Sequence, residues 1–162
     1  MLSNIQKLTT QSDYLNLVTD FIAGQTIRLE MSLLPANKII KPSKVTRELV
    51  LDTGADRSAI TSEVLKRHGY AQFKNSNRLV RTATGTTMLR NCKINGLTLA
   101  NQFHFDSMTI DVLENWEGHT VVGVIGMDIL SQMTFILSHV HKKFLLTNKK
   151  VLQINELFQG GI

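Results

Sequence analysis

The sequence predicts a mostly β protein, and three observations carry that prediction. Apolar and polar residues alternate with period two, most clearly in I-R-L-E-M-S-L at the end of the stretch Phe21 to Leu33. Turn dipeptides such as Thr84-Gly85 and Asn95-Gly96 separate stretches of strand-forming residues. Helical signals are confined to two or three short segments.

The elements follow in order. Met1 to Val18 reads as an amphipathic helix through Ile5, Leu8, Leu15 and Val18, or as an irregular arm. The alternating stretch ending at Leu33 reads as a half-buried strand. Pro35 and Pro42 then bracket a loop from Ala36 to Lys41. Arg47 to Leu51 is a second strand, apolar on both faces near its end, and it delivers Asp52. Thr61 offers a helix N-cap, Glu63 falls in the first turn, and Lys66, Arg67 and His68 fall in the last. Gly69 then suits a left-handed stop, so a short helix is predicted. Arg78 to Ala83, a Thr84-Gly85 turn, Thr87 to Ile94, an Asn95-Gly96 turn and Leu97 to Asp106 read as successive hairpins of an antiparallel sheet. Val121 to Ile125 is another apolar run. Met133 to Leu137 and Lys143 to Thr147 flank a polar S-H-V-H-K bend and read as a late hairpin. Val151 to Leu157 reads as a strand or a short helix. The expected organisation is an N-terminal arm (1–18), one domain (19–148) and a C-terminal tail (149–162) suited to a dimer interface.

Composition narrows the function classes. With 162 residues, 43% hydrophobic and 19% charged, the chain has the make-up of a globular domain that builds a core without metal or disulfides. No apolar stretch approaches the ~18 residues of a spanning helix, which speaks against a membrane partner. The first twenty residues lack the basic start and apolar middle of a secretory signal. Cys92 is the sole cysteine, so no intrachain disulfide forms. These features predict a cytoplasmic protein. The net charge of +5 raises nucleic acid as a partner, but Lys and Arg are scattered, with short clusters only at Lys142-Lys143 and Lys149-Lys150. A solvated basic surface explains that pattern better than a nucleic-acid stripe.

The stretch L-V-L-D-T-G-A-D-R-S-A-I poses the central question. An acidic residue at the end of an apolar run is expected to be capped, paired or catalytic, because desolvating an unpartnered carboxylate is costly. About seventy residues later V-V-G-V-I-G-M-D-I-L-S repeats the pattern of apolar strand, glycine-containing turn and short helix. This echo suggests two similar halves about a pseudo-twofold axis, with Asp-Thr-Gly only in the first.

Asp52-Thr53-Gly54-Ala55-Asp56 in apolar flanks, a Gly-containing hairpin some thirty residues on, and Val121 to Gly126 before a short helix together resemble the retropepsin-type aspartic proteases. The resemblance spans approximately Thr19 to Asn148. It implies an all-β acid-protease fold, a closed barrel-like sheet with a flap hairpin and one or two short helices, one lobe per chain. It implies a homodimer that cleaves a polypeptide substrate without metal or other cofactor, Asp52 of each subunit supplying one carboxylate. Two carboxylates held close together cannot both ionise easily, so one acts as base toward water while the other donates a proton. The resemblance further implies that Thr53 bonds the partner subunit's loop across the axis and that Gly54 leaves room for substrate. Ala55 continues the floor, Asp56 binds substrate main chain, and Thr84 and Gly85 lie at or near the flap tip.

The sequence departs from the retroviral pattern after Gly126. Retroviral members place Arg there, paired to the residue equivalent to Asp56, whereas Met127 and Asp128 stand here. Asp128 is expected to cap its own helix or to pair with Arg57. Other candidates read as structural. His139 and His141 read as a solvent-facing bend and not a metal pair, Cys92 as a buried thiol, and Trp116 as a loop anchor or a contact. Two alternatives to the peptidase stay open: a dimeric module of the same fold that holds peptides without cutting them, and a basic β-domain that binds nucleic acid.

Overall fold

The computed structural model describes residues 16–20, 24–41, 46–82, 85–114 and 120–148. Its elements are β1 (Asn16–Asp20), β2 (Arg28–Leu33), β3 (Arg47–Leu51), β4 (Ala59–Thr61), α1 (Ser62–Arg67), β5 (Lys74–Thr82), β6 (Gly85–Ile94), β7 (Leu97–Leu99), β8 (Phe103–Phe105), β9 (Met108–Leu113), β10 (Val121–Ile125), α2 (Met127–Leu130), β11 (Thr134–Ser138) and β12 (Lys143–Thr147). The predicted mostly β class is what is found. The main sheet runs β5-β6-β9-β4-β10-β3-β2-β7-β8, and a smaller sheet runs β1-β12-β11.

Alternation in β2 does what period two requires: Leu29, Met31 and Leu33 are buried while Arg28, Glu30 and Ser32 face solvent. In β3 Leu49 is fully buried and its neighbours are half-buried. Leu49, Ile60, Leu65, Ile110, Ile125 and Phe144 all lie in one core drawn from both sheets and α1. Helix α1 buries Val64 and Leu65 and pairs Glu63 with Arg67 at 2.6 Å on its outer face. Gly69 follows with φ +86. Thr61, the last residue of β4, precedes the helix as expected but makes no side-chain cap bond.

Two sequence expectations need correction. Leu97 to Asp106 is not one strand: positive φ at Ala100 (49) and Asn101 (55) folds it into the hairpin β7–β8. Nor does the Asn95-Gly96 turn pair the strands on either side of it. Asn95 donates its amide N–H to the Tyr70 hydroxyl and its side-chain N–H to the Pro35 and Ala36 carbonyls, while Gly96 accepts from Leu34. Pinned in this way, the turn sends β7 to β2, and β6 pairs with β9 instead. Strands β4 and β9 escape periodicity because one is three residues long and the other carries Asp111 in its apolar run. Asn16 to Val18, where the sequence offers a helix or an arm, belong to β1. The rest of that segment and Val151 to Leu157 lie outside the described residues. No helix among the described residues is long and apolar enough to cross a membrane.

The halves of the internal echo are neighbours: β3 and β10 run parallel, with Val50 beside Val124 and Leu51 beside Ile125. On its other side β10 meets β4, where Gly123 lies opposite Ile60. A Cβ on Gly123 would sit 2.0 Å from the Ala59 carbonyl oxygen, so only glycine permits that approach. Gly123→Ala is expected to cost about 3 kcal/mol, read as a lowered urea midpoint; an unchanged midpoint would contradict the close contact.

Candidate active site

The D-T-G-A-D segment leaves the sheet at the end of β3 and is latched to the end of β10. The Asp52 amide donates to the Ile125 carbonyl (3.0 Å), Met127 to the Ala55 carbonyl (2.8 Å) and Asp128 to the Asp56 carbonyl (3.1 Å). Ser58 closes the latch. Its buried hydroxyl donates to Asp128 Oδ1 (2.7 Å) and accepts from the Gly126 amide (2.9 Å), while its own amide donates to the same carboxylate oxygen (2.9 Å). Asp128 Oδ1 also accepts from the Ile129 amide in the first turn of α2. Of the two partners expected for Asp128, its own helix is therefore found in part. Arg57 is not: no ion pair joins them among the described residues, and Asp128 Oδ1 is taken by Ser58 and the Ile129 amide.

Within the latched loop Asp52 Oδ1 accepts the Gly54 amide at 2.9 Å, and the Ala55 amide returns to the Asp52 carbonyl at 3.2 Å. These two bonds fix a tight turn and aim one carboxylate. Asp52, Thr53, Gly54 and Asp56 are exposed and Ala55 is half-buried. Asp52 ends the apolar run without entering the core: the run buries Leu49, but the chain turns out of the sheet after Leu51. One face of the site is open in the single chain.

Among the described residues the buried carboxylate is Asp111, 3% exposed, on β9. Its amide donates to the Ser58 carbonyl (3.0 Å), placing it beside the latch. Burial holds the Asp111 carboxyl above the usual aspartate range, Arg78 and Arg57 pull it back down, and Asp128 pushes it up. Asp111 Oδ1 and Asp128 Oδ2 are buried without a hydrogen-bond partner among the described residues, which adds to the cost of the charged form. Arg78 on β5 places one guanidinium nitrogen 3.0 Å from Asp111 Oδ2 and the other 3.4 Å from Asp56 Oδ2.

Strands β5 and β6 pair from Lys74–Asn91 to Thr82–Gly85, whereas β9 reaches only Arg90 to Ile94 of β6. The end of this hairpin is therefore a two-stranded ribbon projecting from the sheet, as a flap requires. Gly85 pairs with Thr82 as a strand residue, which corrects its placement in the turn. Thr84 lies outside the described residues, as does Trp116. His139 and His141 are exposed in a turn, and no group of metal-ligand side chains occurs among the described residues. Cys92 is buried, and burial raises its thiol pKa.

Ser58, Arg78 and Asp111 escape the sequence reading. A signal for Asp111 existed, since M-T-I-D-V-L sets an acid inside an apolar run just as R-E-L-V-L-D sets one at its end. Nothing local marks Arg78 or Ser58, whose partners lie at sequence separations of 33 and 70.

Comparison with known proteins agrees with this geometry. The aspartyl protease family matches residues 40–129, more than half of the chain, and the chain belongs to that family. Among solved structures it is similar to a retropepsin-like aspartic protease from Rickettsia conorii, with a TM-score of 0.61 and 16% identity over 83% of this chain and 92% of that one. It is also similar to the EIAV protease complexed with the inhibitor HBY-793, with a TM-score of 0.50 and 16% identity over 70% of this chain and 92% of that one. No curated protein sequence matches it. The fold is retropepsin-like, as the sequence implied.

Two stability predictions follow from the latch and the buried acid. Asp128→Ala removes the acceptor of both Ser58 bonds and is expected to cost about 2–3 kcal/mol by urea denaturation; no loss would mean that the latch carries no load. Asp111 has a raised folded-state pKa, so its contribution to stability is complete below the unfolded value and is lost as pH rises through the folded one. Arg78 limits that loss, although it is itself about a third exposed. Arg78→Met is therefore expected to cost about 1–3 kcal/mol at pH 7 and clearly less near about pH 4. Equal losses at both pH values would show that the Arg78–Asp111 contact is not ionic.

Proposed function

We propose that two copies of this chain form an aspartic endopeptidase in which Asp52 of each subunit contributes one carboxylate to a shared pair. The observation that carries this reading is the aim and openness of Asp52. The latch fixes the loop, the Gly54 amide holds one carboxylate oxygen, and the side chain faces out of the single chain with no second Asp-Thr-Gly in the sequence to meet it. Peptide hydrolysis without a covalent intermediate needs both a base for water and an acid for the carbonyl oxygen and leaving nitrogen. A second copy of the same loop supplies the missing group by symmetry.

In this reading one Asp52 takes a proton from the attacking water while the partner's Asp52, protonated, donates to the carbonyl oxygen. The proton then passes to the leaving nitrogen as the C–N bond breaks. Thr53 braces the two loops across the axis, Gly54 and Ala55 form the floor, and Asp56 holds substrate main chain. The ribbon at Gly85, with Thr84 at its end, covers the peptide and excludes bulk water. Membership of the aspartyl protease family and the retropepsin-like fold support this assignment.

The test is hydrolysis of a mixed peptide library between about pH 4 and pH 7, over a range of protein concentrations, with an Asp52→Asn control. Cleavage that rises faster than linearly with dilute protein and vanishes in the control is expected. Loss of cleavage in neither protein, or linear dependence throughout, contradicts the shared pair. If wild type and control are both dimeric and neither cuts, the chain is a peptide-holding module of the same fold.

A further inference from the structure

We propose that Arg78 is the positioning residue of the substrate-binding carboxylate Asp56, and that it links the position of the flap ribbon to the Asp-Thr-Gly loop. This inference rests on the reading of that loop as the floor of a peptide cleft. In the retroviral pattern the cation beside this carboxylate follows the second glycine motif, where this chain has Met127. Here a cation reaches the same carboxylate from a different element, the flap hairpin.

The geometry gives Arg78 two duties at once. One nitrogen lies 3.0 Å from Asp111 and the other 3.4 Å from Asp56. The Asp56 side chain is 89% exposed, and a lone surface pair at that distance contributes little, because two mobile side chains must be ordered for a screened attraction. Arg78 differs from such a partner in being anchored already. Asp111 is buried on β9, and its contact removes most of the freedom of the guanidinium before Asp56 is reached. The planar fork then fixes the direction of the second nitrogen, which an ammonium would not do.

The strand that carries Arg78 is shaped for this reach. Asn75 pairs with Arg90 and Leu79 with Met88, so four steps along β5 match two along β6, and Arg78 lies inside the irregularity. Such bulges bend a strand and re-aim a side chain, and they recur next to active sites. Beyond the bulge the hairpin is the projecting ribbon, with Leu79 and Met88 exposed and directly opposite each other. A shift of the ribbon base moves Arg78 relative to Asp56, so flap closure and presentation of Asp56 to the substrate main chain are mechanically joined.

The test is a double-mutant cycle of Arg78→Met and Asp56→Asn in the full chain, read as kcat and KM on a peptide the wild type cuts. Arg78→Met is expected to lower kcat/KM about 10- to 100-fold, chiefly through KM, and the double variant should be no worse than Asp56→Asn alone. Arg78→Lys should not restore KM, and Asp111→Asn should raise it in the same direction. Effects that multiply, or full rescue by lysine, overturn the proposal. Hydrogen exchange of amides 53–57, at a pH where each variant is folded, gives an arm independent of activity. Faster exchange there in Arg78→Met supports the proposal and unchanged exchange overturns it. If Arg78→Met does not fold, Arg78→Lys is read in its place with the same expectations. A wild type that cuts no peptide defeats the peptidase reading, while the exchange data still decide the role of Arg78.

Discussion

The bonds between the Asp52–Ser58 loop and the Gly126–Asp128 turn are the constraint on which the site depends. Backbone amides of 52, 127 and 128 and the Ser58 hydroxyl join segments some seventy residues apart in sequence. The parallel pairing of β3 with β10 exists to bring these segments side by side, and Gly123 lets β4 close in from the other flank. A loop held by its own backbone in this way can present an exposed carboxylate in a fixed direction without burying it. Rigid support beneath a polar, open tip is what a catalytic loop needs.

Two carboxylates in the chain have opposite surroundings. The Asp52 side chain is open to solvent and accepts the Gly54 amide within its own turn, whereas Asp111 is enclosed and leans on Arg78. The enclosed acid is structural: it sits behind the loop, shares Ser58 with the latch through its amide, and gives the flap hairpin a charged foothold in the sheet. The open acid has the character of an incomplete site, which under the proposed reading a second copy of the chain completes. Among the described residues the one buried carboxylate thus anchors Arg78 behind the loop, while the Asp52 side chain stays open.

Much of this was legible in the sequence. The alternation in β2, the stop signals around α1 and the late hairpin each correspond to what is found, because each is a local property of a few consecutive residues. The misplaced features depend on long-range contacts. Asn95-Gly96 has the chemistry of a hairpin turn, yet the Tyr70 hydroxyl, the carbonyls of Pro35 and Ala36 and the Leu34 amide capture it and redirect β7. Asp52 ends an apolar run, yet the path of the chain after Leu51 puts it outside. Asp128 found Ser58 and not Arg57, and Asp56 found a cation on β5 where the motif pattern looked only to α2. Periodicity reports which face of an element is buried, but not which distant side chain shares it.

The central claim, that the reactive site is assembled from two identical chains, is tested most directly by mixing. Wild-type and Asp52→Asn chains, combined in equal amounts, unfolded and refolded together, distribute at random between subunits. If both carboxylates of a pair are required, peptide hydrolysis per total protein should fall to about one quarter of the wild-type value, since only that share of dimers carries two intact loops. Activity that falls only to about one half would mean that each chain works alone, and would contradict the account.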